Sequence, residues 1–402
     1  MVPDCTNTYP PERRRYQSGV DLITALGVLG TDIVLPMLSA QLEFTLGRAA
    51  TCDLRVDRKY LASIHARIER ILVSSHATLR ITDVSSGKND IVYNEVAAKE
   101  FTLAAGEWFQ IGETRYYALN EEMRLAWPRV KEILGIRNIA ATSDLLVDAV
   151  RDSARHVVLL GEPGSEQERL GRLIHQVSHR RHNKFHPLPE LPKLNGTHRD
   201  DLQDAGGGTV LVPLYHRGKL DDRLVEMLTH PDADLRLIIC ARSPDKVDAS
   251  FPSNRLHAVK QIKIPPLRQR KNDIPELLDQ WFIARHSSLR FLALRQELRD
   301  GIMAHTWPEN LRELRKLAGV LLQLASCGSV GEATGECQVS RGTLRGWAKQ
   351  LNTAFEFPLV VREATKPTRR SREATKPTRR SRGATKPTSR SREATKPTGA
   401  SR

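Results

Sequence analysis

The stretch Val157 to His175, VVLLGEPGSEQERLGRLIH, has the residue types and spacing to cradle a phosphate. A short apolar run leads into Gly161-Glu162-Pro163-Gly164-Ser165 and then into a helix-forming segment. Strand, tight glycine turn and helix start, in that order, aim backbone N–H groups at an anion. Nucleotide chemistry on such a turn also needs a cation and a hydroxyl. Here Gln167 occupies the lysine position, Glu166 replaces the preceding glycine, and Glu168 replaces the Ser or Thr that would hold magnesium. Two carboxylates and a neutral amide repel a triphosphate rather than neutralise it. Gly161 and Gly164 keep the shape of the loop while Gln167 removes its charge, which reads as a vestigial nucleotide site. No metal and no cofactor are expected, with ATP left in question by the retained glycines.

The elements that must position this loop belong to a chain of 402 residues, long enough for two to three domains. Its net charge of +15 is unevenly placed. Residues 361–402 hold 14 Lys or Arg against 3 Glu, a net +11 that leaves +4 for everything else. Polyanion affinity is therefore first a property of the tail. Cys5, Cys52, Cys240, Cys327 and Cys337 show no CxxC spacing and read as reduced thiols. Residues 1–20 are charged and lack the apolar core of a signal peptide, so they are expected to be disordered. The most apolar long window, Thr24 to Ala40, is broken by Asp32 and Pro36 and is too short to span a bilayer. A cytoplasmic protein with no membrane partner follows as the expectation.

Between residues 21 and 123, short alternating runs predict an all-β sandwich: Glu43 to Leu46, Asp53 to Val56, His65 to Ile71, Thr78 to Thr82, Ile91 to Tyr93 and Trp108 to Ile111. The segments LGRAATCDLRVDRKYLASIHARIERI, DVSSGKNDIVYNE and LAAGEWFQIGETRYYAL resemble a forkhead-associated (FHA) domain over its whole length. The resemblance implies a sandwich whose end loops bind phosphothreonine peptides. Arg48 would pair bidentately with the phosphate, as a guanidinium fork suits. His65 would brace the binding loop, Asn89 would hold the peptide backbone, and Asn94 would support that loop or contact the peptide further on. One departure is Ala62, where the family has Ser three residues before the His. Loss of a hydroxyl contact to a dianion costs roughly 1.5 to 3 kcal/mol, with Ser63 or Lys88 as candidate replacements. The expected partner is a phosphothreonine-containing protein, the substrate of a Ser/Thr kinase.

A helical connector over 124–155, punctuated by Trp127-Pro128, precedes the phosphate loop. Strands at Thr209 to Leu214 and Leu235 to Ala241, a helix at Lys219 to Thr229 and PPLRQRKNDIPELLDQW then resemble the AAA+ domain of sigma-54-dependent transcription activators. Trp307 to Leu314, WPENLREL, matches that family's lid and places Arg312 where the nucleotide-sensing Arg stands. An α/β subdomain over 156–285 and a helical lid over 286–324 follow. Pro213-Leu214 stand where the family has Asp-Glu, and neither can ligate a hard cation or act as a base. The segment between Phe185 and Gly206 is too short for the sigma-contacting loop. These losses together lead to the expectation that the chain is not an enzyme.

Residues 328–351, within an expected unit 325–356, have the spacing of a helix-turn-helix and resemble the Fis-type DNA-binding unit. Ser340 would cap the second helix, and Arg341, Thr343, Arg345 and Lys349 would face DNA. Glycines at 331, 335, 342 and 346 would cost about 1 kcal/mol each in helix interiors. From 357 onward an expected disordered tail carries four ten-residue units built on REATKPTRRS. The expected whole is a multidomain regulator with FHA input, an α/β core and a DNA-binding output, with DNA and a second copy of the chain as further partners. The competing readings are a residual ATP-binding activator and a phosphoprotein adaptor with no DNA role.

Overall fold

The computed structural model describes residues 22–73, 76–152, 154–188, 206–215, 220, 222–230, 233–251, 256, 259–325 and 341–351. Residues 1–20, the candidate cap Ser340 and the repeats over 362–402 lie outside the described residues.

The amino-terminal half is a two-sheet sandwich. One sheet orders β2 (Val34–Pro36), β1 (Ile23–Val28), β11 (Thr114–Asn120), β10 (Trp108–Ile111), β7 (Ile91–Tyr93) and β8 (Val96–Ala97). The other orders β4 (Leu54–Arg55), β3 (Glu43–Gly47), β5 (Ala66–Val73), β6 (His76–Asp83) and β9 (Glu100–Leu103). Pairing is antiparallel except between β3 and β4. Period-two alternation aims Phe44, Leu46, Ile68, Leu79, Ile81, Phe109 and Ile111 between the sheets, where all are buried. A buried guanidinium fixes one end of this core. Arg70 Nη1 donates to the carbonyls of Leu38, Ser39 and Gln41, and its Nη2 to that of Ile23.

β11 passes directly into α1 (Glu121–Leu134). Asn120 is the last strand residue and also the helix cap, its Oδ1 accepting the Met123 N–H at 2.9 Å, with Glu121 and Glu122 in the first turn. Pro128, read from sequence as punctuation, lies inside α1 on an exposed face, so the helix runs through it. The buried stripe of Met123, Ala126, Val130 and Ile133 outweighs the lost backbone bond. α2 (Ile139–Arg151) follows.

The α/β lobe is a parallel sheet ordered β13 (Phe185–Pro187), β14 (Thr209–Pro213), β15 (Arg236–Ala241), β12 (Val157–Leu160) and β16 (Lys260–Lys263). Val157 and Leu159 bury on one face, while Val158 and Leu160 bury on the other. That two-sided burial is why β12 reads as a continuous apolar run. The helices are α3 (Gln167–Val177), α4 (Asp222–Leu228), α5 (Pro244–Ser250) and α6 (Ile274–Ala284), then α7 (Gln296–Ala304) and α8 (Asn310–Ala325) of the lid, and α9 (Arg341–Gln350). One apolar cluster runs from Tyr117 and Leu119 of the sandwich through α1, one face of the parallel sheet and the lid to Trp347.

Candidate functional site

The loops at one edge of the sandwich converge on Gly47 and Arg48. A Cβ on Gly47 would overlap the Ser63 carbonyl oxygen and lie 2.9 Å from the Ile64 Cα and 3.0 Å from Cys52 Sγ, so only glycine lets the 61–65 loop close on β3. The Arg48 N–H donates to the Ala62 carbonyl at 3.0 Å and the Ala49 N–H to the Ser63 carbonyl at 2.9 Å. Arg48 and Ser63 are thereby held on facing loops, both exposed.

His65 is fully buried beneath them. Its Nδ1 accepts the Ala62 N–H at 3.0 Å, which puts the ring proton on Nε2, an atom with no hydrogen-bond partner among the described residues. Burial pushes the imidazole below its ordinary value, against the opposing pull of the Asp83 carboxylate and the Asn89 backbone. Asn89, in the left-handed region at φ 57, donates from Nδ2 to the Tyr60 carbonyl at 2.7 Å and ties the 84–90 loop to the 57–61 loop. Lys88 beside it is exposed. Asn94, at φ 51, forms the β7 to β8 turn with Glu95 at φ 67 and joins none of these bonds. Arg48, Ser63, His65, Lys88 and Asn89 therefore share one edge, and Asn94 occupies the neighbouring hairpin turn. A guanidinium, a hydroxyl, an ammonium and an amide on fixed loops are suited to a phosphate dianion carried on an extended peptide.

At the phosphate loop of the α/β lobe, the lysine position is turned inward. Gln167 is 3% exposed, and its Nε2 donates to the carbonyls of Leu159 and Ala241, each at 2.8 Å, closing the ends of β12 and β15. The Gly161 N–H donates to the same Ala241 carbonyl at 3.0 Å. Glu166 takes the left-handed conformation that the family glycine would supply, at φ 66.

The lid closes directly on this loop. Gly164, at φ 73, lies against the Glu309 carbonyl with no room for a Cβ, and its own carbonyl accepts the Arg312 N–H at 3.2 Å. Asn310 Nδ2 donates to the Pro163 carbonyl at 3.0 Å. Glu162 receives both guanidinium nitrogens of Arg268, at 2.5 and 2.6 Å, and this pairing holds its carboxyl below the usual range. The Arg312 side chain is exposed, so its backbone makes the loop contact. Pro213 ends β14 and Leu214 is buried. Among the described residues no cluster of three or more His, Cys, Asp or Glu could hold a metal.

Sequence reasoning gave no role to Glu162, Arg268 or Asn310, although their opposite charges and amide stood in quoted motifs. It also missed Glu132, near the carboxyl end of α1 and 7% exposed. Its carboxylate accepts Arg169 Nη2 of α3 at 3.0 Å, Trp281 Nε1 of α6 at 3.0 Å and Arg315 Nη2 of α8. Arg270 donates to the Glu132 and Ile133 carbonyls at 2.8 Å each. Nothing in the sequence signals these long-range pairs.

At the carboxyl side, α9 buries Leu344 and Trp347, and Leu351 just beyond it is also buried. Trp347 lies 6.5 Å from Trp307 between ring centres, and the Leu351 carbonyl sits over Gly301. Gly342 and Gly346 are exposed in this helix, and burial on its opposite face offsets their propensity cost. Arg345 and Lys349, four residues apart, share an exposed face, whereas Thr343 is half-buried. Arg341 starts the helix, and Ser340 with the preceding candidate helix lies outside the described residues.

The chain thus joins a two-sheet β-sandwich to a parallel α/β lobe with further helices packed on it, and it is similar in sequence to sigma-54-dependent regulators. No protein-family model matches it. It is 27% identical over 249 residues to a protein of Escherichia coli described as a candidate uric acid sigma-54-dependent transcriptional regulator, UacR, covering 52% of this chain and 42% of that protein. The match therefore spans less than half of that relative. Among solved structures, NtrX from Brucella abortus in complex with ATP is similar over 50% of this chain and 51% of that one, at 20% identity and a TM-score of 0.37. A domain solved in work on phosphothreonine-dependent FHA interactions matches over 24% of this chain and 96% of its own length, at 15% identity and a TM-score of 0.20.

These findings correct one expectation. The departures at Gln167, Pro213 and Leu214 stand, but the reading that the chain is not an enzyme does not. The curated proteins it resembles are sigma-54-dependent transcriptional regulators. Sequence motifs weigh single side chains and say nothing of what a retained loop and lid still do. Among the described residues no helix is long and apolar enough to cross a membrane.

Proposed function

We propose that this chain is a transcriptional regulator of the sigma-54-dependent type whose input is a phosphothreonine peptide. The observation that carries the reading is the convergence of Arg48, Ser63, Lys88 and Asn89 on one edge, over a loop braced by the buried His65. Arg48 pairs with the phosphate, Ser63 supplies the hydroxyl that Ala62 cannot, and Asn89 holds the peptide backbone. The output is DNA, met by Arg345 and Lys349 on α9, with Arg341 at the start of that helix. The similarity to sigma-54-dependent regulators supports this output.

Titrating the full chain with a phosphothreonine peptide library tests the input. Saturable binding that requires the phosphate and is lost in Arg48→Ala is the expected result. Equal binding of phosphorylated and plain peptides would refute it. For the output, replacing Arg345 and Lys349 together with Ala is expected to flatten the salt dependence of DNA binding by about two counterions. An unchanged slope would remove α9 from the DNA contact.

A further inference from the structure

A charged side chain is buried at the opposite end of the parallel sheet from the phosphate loop. Arg236 opens β15 and is 1% exposed. Its Nε donates to the Arg155 carbonyl at 3.1 Å and its Nη2 to the Asp152 carbonyl at 3.4 Å, just past the carboxyl end of α2. Its Nη1 is also buried and has no acceptor among the described residues. A guanidinium does not give up its proton in a protein, so Nη1 stays a charged donor. Leaving such a donor unmatched costs more than leaving a neutral one.

The charges around Arg236 do not balance. Asp152 pairs with Arg155 at 2.9 Å, Asp148 pairs with Lys260, and Asp234 pairs with Arg180 at 2.6 Å. Asp144, which also acts on Lys260, is exposed. Both acceptors that Arg236 does have are neutral carbonyls. Burial first, then the charge of Arg180, push its guanidinium down to about 10, with Asp152 acting the other way. One positive charge is left without a carboxylate of its own.

Arg236 forms part of the wall of a cleft of about 300 Å³ between α2, α3 and the amino ends of β12 and β16. Leu145, Ala149, Val157, Ile174 and Ile262 supply an apolar lining, and the Asp152–Arg155 and Asp148–Lys260 pairs complete it. A phosphate dianion calls for several donors at once, whereas Nε and Nη2 are already committed. One remaining donor, one uncompensated charge and apolar walls fit a monoanion with a hydrocarbon body.

We infer that this cleft binds a small aliphatic carboxylic acid, its carboxylate accepting from Arg236 Nη1 and its hydrocarbon chain lying along Ala149, Ile174 and Ile262. The site is separate from the phosphothreonine edge and from the phosphate loop and rests on neither reading. Bound there, the acid fastens α2 to the sheet and so acts on the connector that follows the sandwich.

The test titrates the full chain with acetate, butyrate and hexanoate by calorimetry, with chloride and inorganic phosphate as controls. Each buried methylene is worth about fourfold in affinity, so butyrate is expected to bind about 15-fold tighter than acetate. Arg236→Met is expected to weaken butyrate about tenfold or more, through loss of one charged hydrogen bond. Ala149→Leu shortens the cleft and is expected to weaken hexanoate while sparing acetate, a selectivity that misfolding cannot produce. His175 supplies an independent readout. Burial first, then the charge of Arg236, hold its imidazole down at about 4, and butyrate offsets the second, so its NMR titration midpoint rises.

No saturable binding of any of the three acids would overturn the inference. Equal binding of butyrate, chloride and phosphate would make the cleft a general anion trap, which overturns it too. Affinity that survives Arg236→Met, or that ignores chain length, would place the acids elsewhere on the protein. If Arg236→Met fails to fold, the length selectivity of Ala149→Leu decides alone.

Discussion

Replacing Gln167 with Ala isolates what this side chain does for the fold. Its Nε2 makes two bonds of 2.8 Å to the Leu159 and Ala241 carbonyls, at a position 3% exposed. Each such bond contributes about 1 kcal/mol net, and a buried carbonyl left without its partner costs more than the bond was worth. The Ala241 carbonyl keeps the Gly161 N–H, and Leu159 lies within β12, paired on both sides with β15 and β16, so the loss is that of the two side-chain bonds. Together these give about 2 kcal/mol, concentrated where β12 and β15 meet the loop. Global unfolding of a multidomain chain is a poor gauge of this, and native-state hydrogen exchange across residues 157–170 is a direct one. The expected effect is exchange about 30-fold faster in that segment, with the sandwich strands unchanged. Less than a threefold change would refute the reasoning, because it would mean that Gln167 does not hold the strand ends together.

Two further predictions concern other parts of the fold. Gly301→Ala places a methyl group against the Leu351 carbonyl; the expected outcome is undocking of α9, read as a red shift of Trp347 emission in a variant retaining only that tryptophan. His175 is buried with Nδ1 2.9 Å from Thr209 Oγ1, and burial first, then the charge of Arg236, push its value from 6.5 down to about 4. The unfolded chain therefore binds this proton more readily than the folded one. The stability contributed by the neutral ring is complete above about pH 6.5 and is lost as pH falls toward 4, by roughly 3 kcal/mol. Melting curves over that range should flatten in His175→Gln; an unchanged pH slope would show that another group is responsible.

The sandwich was legible because its strands obey period two. Ile91–Tyr93 and Trp108–Ile111 are found at the predicted residues, and β3, β5 and β6 shift only at their ends. β1 was not read as a strand because ITALGV has no polar alternation: Ala25 packs outward against the cluster shared with α1, while Ile23, Leu26 and Val28 pack inward. β9 and β11 were missed because their polar residues stand close to turn-forming glycines and acids. In the site, Arg48, His65 and Asn89 were accessible through motif spacing. The inward turn of Gln167 was not, since a glutamine that repels nothing and one that bridges two strands look the same in one dimension.

The continuity of β11 with α1 has a mechanical consequence. Asn120 ends the strand and starts the helix, leaving no linker in which rotation could dissipate. A helix of 14 residues is about 21 Å long. Tilting the sandwich by only about 5° would therefore carry the far end of α1 nearly 2 Å sideways, further than hydrogen bonds of about 3 Å tolerate. At that far end Glu132 is gripped by Arg169, Trp281 and Arg315 from three separate helices. The carboxylate acts as a fulcrum, so a twist applied at one end of the molecule is either resisted outright or delivered to the phosphate-loop helix and the lid in a single step.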